Sequence, residues 1–219
     1  MPATMQAIVK WLTVLALQFA PPAKAHQFPG YHETIEQRTA RCEAIATDIA
    51  NVVDTANVYA FSRQENAVAL LAFAIGETAL DLDADRGPSC YRGPGYTSRC
   101  DGGLAVSLWQ LHVNDEEQRA ALFADRPRAA SMALRGLAAS FRMCGHLPIE
   151  ERWAAYGSGT CDNPAGRAGS RKRWALFKRL LARQKPPKWP ARKPIVPRMP
   201  DAPSKPSEPK PAPSKVAER

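Results

Sequence analysis

The stretch LLAFAIGETALDLD, residues 70–83, decides the fold that this sequence predicts. It continues an apolar run from Ala67 to Ile75, which is nine residues long and predicts a helix that is apolar on every side. Such a helix lies at the centre of a molecule, because no side of it suits water. Ser62 and Glu65 stand three residues apart before the run, as in a capping box, and predict where the helix begins.

A carboxylate, Glu77, follows the run near the predicted end of this helix. The carbonyl end of a helix carries partial negative charge, and apolar neighbours such as Phe73 and Leu80 withhold water. Both effects disfavour the ionised carboxylate and predict a raised pKa for Glu77. A glutamic acid that keeps its proton near neutral pH can give it to the leaving oxygen of a glycosidic bond. The alternative is a glutamate that turns to solvent at the helix end.

Hydrophobic spacing around this segment predicts a mainly α fold. Residues 33–58 predict one long helix, and residues 82–106 predict an irregular region with a short β-hairpin. Further helix starts are predicted at Asn114, Pro127, Pro148 and Ser170, with ends near Phe123, Gly145, Gly157 and Gln184. The Arg and Lys face of the last helix is interpreted as a solvated surface, although such a face can also bind an anion.

Both ends of the chain differ in composition from the middle. Residues 1–25 hold a short apolar core and end in the small-x-small pattern AKA, so they predict a signal peptide and an exported protein, periplasmic or extracellular. An uncleaved membrane anchor and a buried first helix are the alternatives. Residues 31–183 are predicted to form the folded domain. Residues 184–219 are rich in Pro and Lys without periodicity, and they predict a disordered tail.

The net charge of +9 arises largely in this tail, since residues 185–219 hold nine Lys/Arg and three Asp/Glu. The body is only mildly basic, so nucleic acid is not predicted as a partner. The cations of the tail suit anchoring to anionic cell-surface polymers, and a solvated linker is the alternative. The sequence shows neither a nucleotide-binding loop nor His/Cys spacing for a metal, so no cofactor and no metal are predicted. A monomer is expected.

The five cysteines suit an oxidising compartment. Cys90 and Cys100 bracket a short loop that contains glycine and predict one disulfide, while Cys144 and Cys161 predict a second. Cys42 is left over. Because spacing does not fix the pairing, buried thiols are the alternative.

Two further stretches, AVSLWQLH at 105–112 and WAAYGSG at 153–159, follow IGET at 75–78. In this order the three resemble the signatures of the lytic transglycosylase domain of the lysozyme-like superfamily. That family shows Glu-Ser at a helix end, then Gly-x-Gly-Leu-Met-Gln, then Ala-Tyr-Asn-Ala-Gly. The matching residues here are Glu77 and Thr78, then Ala105, Ser107, Leu108, Trp109 and Gln110, and then Ala155, Tyr156 and Gly159. The resemblance covers about residues 60–160.

The resemblance implies a lysozyme-like helical domain that cleaves peptidoglycan strands between N-acetylmuramic acid and N-acetylglucosamine. Glu77 is then the catalytic residue, first as acid and afterwards as base while a 1,6-anhydro ring closes. The residues implied to bind the substrate are Gln110, Tyr156, Trp109 and Ser107. A polar helix cap is the alternative role for Gln110, and a packed aromatic side chain is the alternative for Tyr156.

Two other functions fit the same sequence. A lysozyme-type hydrolase of the same bond needs a second carboxylate. Asp101 is the predicted candidate, whereas Asp81, Asp83 and Asp85 are interpreted as a solvated helix end. From that position Asp81 is expected to raise the pKa of Glu77 by charge repulsion. A non-catalytic wall-binding module is the other alternative, suggested by departures from the family's pattern at Ala105, Ser107, Trp109 and Gly157.

Overall fold

The computed structural model describes residues 2–21, 33–57, 60–86 and 104–189. This part of the chain is mainly helical and carries a small two-stranded sheet, which confirms the predicted fold class. The elements are α1 (Ala3–Phe19), α2 (Ile35–Thr55), α3 (Arg63–Thr78), α4 (Leu82–Arg86), β1 (Ala105–Val106), β2 (Leu111–His112), α5 (Glu116–Ala124), α6 (Arg126–Met143), a 3-10 turn (Ile149–Glu151), α7 (Ala154–Ser158) and α8 (Pro164–Arg183).

The helix predicted from the apolar run is α3, and it lies at the centre of the fold. Every residue from Asn66 to Ile75 is buried, and the helix contacts α1, α2, α6 and α8. The Ser62 side chain accepts a hydrogen bond from the amide of Glu65, and the Glu65 carboxylate accepts one from the amide of Ser62. The capping box and the central buried helix are therefore both confirmed.

Two of the predicted helix starts are wrong, that of the last helix by several residues and that of α5 by one. The last helix begins at Pro164, where Asn163 caps it by accepting from the amides of Ala165 and Gly166. An Asn followed by Pro at the first helical position is a stronger start than a lone serine, so Ser170 falls inside the helix. The other correction concerns α5, which is capped by Asp115 in place of the neighbouring asparagine.

The short helix after Pro148 is also divided differently from the prediction. Pro148 precedes a 3-10 turn, and α7 then runs on past Gly157 to Ser158. Gly159 ends α7 with φ 74°, a left-handed conformation that glycine adopts without steric cost. A disulfide joins Cys144 at the end of α6 to Cys161, as predicted, and closes the loop that carries α7. The predicted Cys90–Cys100 pair lies outside the described residues, and Cys42 is a buried free thiol.

The hairpin is formed by the second motif itself. Ala105 pairs with His112, and Val106 pairs with Leu111, in antiparallel register. The turn between the strands is irregular, because its first residue and its last residue, Gln110, both have positive φ. The hairpin thus lies at the end of the predicted irregular region and just beyond it.

Helix α1 packs against α2 and α3, and it buries Ile8, Leu12 and Leu15 completely. This packing corresponds to the alternative of a buried first helix, while the signal peptide stays a prediction. Among the described residues, no helix combines the length and apolar character needed to cross a bilayer. At the other end, Trp189 is buried and its indole N–H donates to Asp54 at 3.0 Å, so the packed body extends past the predicted boundary at 183. The rest of the predicted tail lies outside the described residues.

Candidate active site

The side chain of Glu77 lines a cleft of about 680 Å³ that is open to solvent. This volume lies in the range of small-molecule sites. The cleft is bounded by the end of α3, the hairpin, α6, α7 and α8. Its lining residues are Glu77, Gln110, Leu111, His112, Met132, Gly136, Ala139, Ser140, Met143, Ala155, Tyr156, Gly157, Ser158, Gly159 and Arg173.

Glu77 occupies the last turn of α3, and its side chain is 15% exposed. Burial raises the pKa of the Glu77 carboxyl, and this is the largest effect on it. The nearby positive charge of Arg173, whose Nη2 lies 2.5 Å from Glu77 Oε1, acts in the opposite direction, as does His112. Burial outweighs both, so the pKa of Glu77 is raised above its usual value, as predicted.

The chain turns sharply after Glu77, because Ala79 and Leu80 both adopt left-handed backbone conformations with φ 52° and 54°. Non-glycine residues pay a steric cost for this conformation. Two arginines of α2 stabilise the turn. Arg38 donates to the carbonyl oxygens of Ala79 and Leu80, and Arg41 donates to that of Leu80 at 2.7 Å. These bonds hold the end of the helix that presents Glu77 to the cleft.

The acidic residues after this turn are not a solvated helix end, so that prediction is wrong. Asp81, Asp83 and Asp85 are all buried. Asp85 pairs with Arg41 at 3.2 Å and with Arg126 at 3.1 Å, so its charge is neutralised inside the fold. None of the three lines the cleft, and burial, instead of repulsion from Asp81, raises the pKa of Glu77.

A second carboxylate is missing from the described part of the cleft lining, where Glu77 stands alone. Asp101, the predicted candidate for that role, lies outside the described residues. Among the described residues, no group of three or more His, Cys, Asp or Glu side chains is placed to hold a metal ion. The described chemistry of the cleft therefore centres on one carboxyl group.

Tyr156 lies in the cleft, as predicted, and its hydroxyl donates to the backbone oxygen of Trp109 at 3.0 Å. Burial raises the pKa of Tyr156 far above its usual value, and the Glu77 carboxylate nearby adds to the effect, so the phenol stays neutral. Its ring meets the ring of Phe73 edge-on at 4.9 Å between centroids. A Cβ at Gly136 would lie 3.2 Å from the tyrosine ring, so the glycine lets α6 approach closely.

Gln110 also lines the cleft, as predicted. Its Nε2 donates to the carbonyl oxygen of Ser107 at 3.1 Å, which orients the side chain across the turn of the hairpin. Its backbone has φ 48°, so the turn, and not a strand, directs this side chain towards the cleft. Gln110, Tyr156 and Glu77 thus line the same cleft, as the order of the three motifs predicts.

Trp109 and Ser107 do not lie in the cleft, so their predicted contact with substrate is wrong. Trp109 is fully buried, and its indole N–H donates to the carbonyl oxygen of Leu70 at 2.9 Å. Ser107 is 5% exposed, and its hydroxyl accepts from the amide of Trp109 at 3.3 Å. Both residues shape the hairpin from behind the cleft and anchor it to α3.

Arg173 is a described residue of the cleft that the sequence does not predict. It lies on the face of α8 that was interpreted as solvated surface, yet its guanidinium sits over the ring of Phe73 at 5.3 Å from the centroid. One feature of the sequence indicates that Arg173 could turn inward, namely its position next to Trp174 at the edge of the apolar face of the helix. Which charged residue of such a face turns inward depends on how α8 packs on α3, and local spacing does not contain that information.

Comparison of the chain with family models, with curated proteins and with solved structures yields no match. The fold and the cleft are therefore the grounds for a functional assignment. They define a helical protein with one poorly hydrated carboxyl group at a helix end, facing an open groove.

Proposed function

We propose that the protein is a lytic transglycosylase that cleaves peptidoglycan between N-acetylmuramic acid and N-acetylglucosamine. The observation that carries the proposal is the poorly hydrated carboxyl of Glu77, which has a raised pKa and faces a cleft where no other described residue supplies a carboxylate. A protonated glutamic acid in such a place serves as a general acid. Gln110 and Tyr156 in the same cleft, at the positions that the three motifs give them, support the proposal.

The reaction needs one carboxyl group that acts twice. Protonated Glu77 gives its proton to the oxygen between the two sugars, and the bond from that oxygen to the anomeric carbon of the muramic acid breaks. The ionised Glu77 then accepts the proton of the muramic 6-hydroxyl, whose oxygen bonds to the same carbon and closes the 1,6-anhydro ring. The proton returns to Glu77, and no water is consumed.

The neighbours of Glu77 suit these two steps. Arg173 stabilises the carboxylate form of Glu77 before substrate binds, because a cation beside a carboxylate favours the ionised form. Tyr156 stays neutral and fixes the hairpin through Trp109, which keeps Gln110 in place beside the groove. Because the described lining of the cleft holds no second carboxylate to serve as a general base for water, internal attack by the 6-hydroxyl is favoured over hydrolysis.

The proposal includes an exported protein that acts on glycan strands in the cell envelope. It also includes a role for the basic tail in holding anionic cell-surface polymers. Removing residues 190–219 tests that role and leaves Trp189 in place. We expect the shortened chain to sediment less with purified cell walls at low salt than the full chain. Equal sedimentation of both chains would contradict it.

The experiment for the main proposal measures muropeptides that are released from purified peptidoglycan, by mass spectrometry. We expect 1,6-anhydro ends from the wild type and a rate about 10²–10⁴-fold lower for Glu77→Gln, the usual share of a general acid. Glu117→Gln, a change of an exposed glutamate on α5, is the matched control and should act like the wild type. Reducing ends would indicate the lysozyme-type hydrolase instead.

A non-catalytic wall-binding module is the second candidate, and the ion pair of Glu77 with Arg173 favours it. A carboxylate that stays paired with a guanidinium does not donate a proton. If this function holds, the wild type and Glu77→Gln will both sediment with peptidoglycan, and neither will release muropeptides.

A further inference from the structure

The guanidinium of Arg173 packs close to Gly169 and to the ring of Phe73. A Cβ at Gly169, one turn earlier on α8, would lie 2.6 Å from Nη1 of Arg173, so the glycine leaves room for the group. The ring of Phe73 supports the guanidinium from below at 5.3 Å. Its side chain is 21% exposed and belongs to the cleft lining, so a ligand in the cleft can reach it.

The titratable side chains that face Glu77 lie on three elements. Arg173 lies on α8 and His112 on β2, while Tyr156 on α7 is neutral. The α6 residues of the lining carry no titratable side chain. Among the described residues, Glu77 therefore supplies the negative charge that balances Arg173 inside the cleft.

The acid step removes that balance. Glu77 must hold a proton to act, and a protonated Glu77 leaves the guanidinium of Arg173 without a counter-charge in the cleft. A largely buried cation without an anion is costly, so an anion should replace Glu77 when the acid is protonated. Arginine binds carboxylates through paired N–H donors, and the ion pair with Glu77 Oε1 is made by Nη2 of Arg173.

We propose that Arg173 binds a carboxylate of the substrate, changing partner from Glu77 to that carboxylate as the glycan strand enters the cleft. The inference rests on the proposed function and narrows its substrate class to glycan strands that carry carboxylates, as opposed to neutral polymers of N-acetylglucosamine. The exchange balances when Glu77 takes one proton from solvent for each carboxylate bound to Arg173. Binding of the substrate thus protonates Glu77, which is the form that acts as the acid.

Peptidoglycan offers carboxylates from two sources, and non-cleavable probes distinguish them. N-acetylmuramic acid carries the free lactyl carboxylate. Muramyl dipeptide has that group in an amide bond and carries its carboxylate on the peptide. N-acetylglucosamine is the neutral reference. None of the three has a glycosidic bond that the enzyme cleaves, so their binding is measured independently of catalysis.

Calorimetric titration of the wild type in buffers of different ionisation enthalpy gives both affinity and proton uptake. We expect one of the anionic probes to bind at least about tenfold more tightly than N-acetylglucosamine, with proton uptake of up to one per site. Arg173→Met should lose this preference, whereas Lys172→Met, an exposed neighbour on α8, should keep it. Glu77→Gln frees the guanidinium, so it should bind the anionic probe more tightly and without proton uptake.

An anion preference that persists in Arg173→Met would overturn the inference, and so would its absence from the wild type. If circular dichroism shows that Arg173→Met does not fold, the Glu77→Gln variant provides the test. The inference is overturned if Glu77→Gln binds the anionic probe no more tightly than the wild type does. Release of muropeptides by the same preparations tests the proposed function separately. A wild type that binds the anion through Arg173 but releases no muropeptide refutes the enzyme and upholds the anion site.

Discussion

Two opposed effects act on the pKa of the Glu77 carboxyl, and their balance suits it to acid and base chemistry. Burial at the end of the apolar helix raises the pKa, while the guanidinium of Arg173 lowers it. A fully buried glutamate without a cation beside it stays protonated and cannot act as a base. A glutamate held in an ion pair stays ionised and has no proton to donate. The arrangement seen here suits a group that must do both within one reaction.

The raised pKa also makes the stability of the fold depend on pH. In the unfolded chain Glu77 titrates near its ordinary value of 4.5, and in the fold it titrates higher, so the folded state holds more protons in between. The contribution of Glu77 to the free energy of unfolding therefore falls as pH rises through this window. Glutamine does not titrate, so we expect the stability of Glu77→Gln relative to the wild type to increase across the window. Urea unfolding at a series of pH values measures this difference, and a relative stability that decreases with rising pH would contradict the raised pKa.

Site residues that a local pattern specifies are predictable from the sequence, whereas site residues that tertiary packing specifies are not. Glu77 was identified because an apolar run and an acid are neighbours in the chain. Arg173 comes from a helix far away in sequence, so nothing near it indicates its partner. Trp109 was assigned to the substrate by its position in a motif, yet the left-handed turn at Ser107 rotates its side chain into the core.

Helix α3 presents Glu77 only because α2 fixes the end of it. The left-handed residues Ala79 and Leu80 interrupt the helix, and the guanidinium groups of Arg38 and Arg41 satisfy their carbonyl oxygens. Asp85 in turn balances the charge of Arg41. The start of α3, marked by Ser62 and Glu65, was predictable because capping is local. The cluster around Asp85 joins residues from several elements, so local pattern does not reveal that it is buried.

Arg41→Met tests the role of the cluster in holding the end of α3. The change removes a buried guanidinium that Glu33 and Asp85 share, and leaves Glu33 paired with Arg38 and Asp85 paired with Arg126. We therefore expect the free energy of unfolding to fall by about 3 kcal/mol, the lower end of the usual cost of breaking a buried pair. Arg86→Met is the matched control, since Arg86 is 65% exposed and lies 3.9 Å from the same Asp85; it should cost at most about 1 kcal/mol. Chemical unfolding monitored by circular dichroism gives both values. Equal losses for the two variants would show that the cluster does not support the fold.

The molecule as a whole is organised around α3, with α1 packed against it and the cleft at its C-terminal end. A mainly α fold with a central helix was predictable from composition and periodicity. The place of α1 was not, because a short apolar helix at the start of a chain reads equally as an export signal and as part of a core. Its packing gives Arg38 a further acceptor, the carbonyl oxygen of Ala20 at 2.6 Å.

A chain that begins at residue 26 shows what α1 contributes to the fold. Burial of one leucine or isoleucine side chain stabilises by about 1.5–3 kcal/mol, and α1 buries Ile8, Leu12 and Leu15 fully. We therefore expect the shortened chain to lose at least about 4 kcal/mol of unfolding free energy relative to the full chain, measured by urea titration. Unchanged unfolding midpoints would mean that α1 is dispensable, as a cleaved signal peptide must be. Intact-mass analysis of the expressed protein shows independently whether residues 1–25 are retained.

The most direct test of the central claim follows the ionisation of Glu77 and the reaction together. Carboxyl carbon NMR, assigned with Glu77→Gln, gives the pKa of this side chain, and muropeptide release over the same pH range gives the rate. We expect the pKa of Glu77 to lie above 4.5, with the rate falling as pH rises through the same midpoint, because the ionised form has no proton to give. A pKa at or below 4.5, or a rate that keeps rising through the midpoint, would contradict a protonated Glu77 as the acid that cleaves the strand.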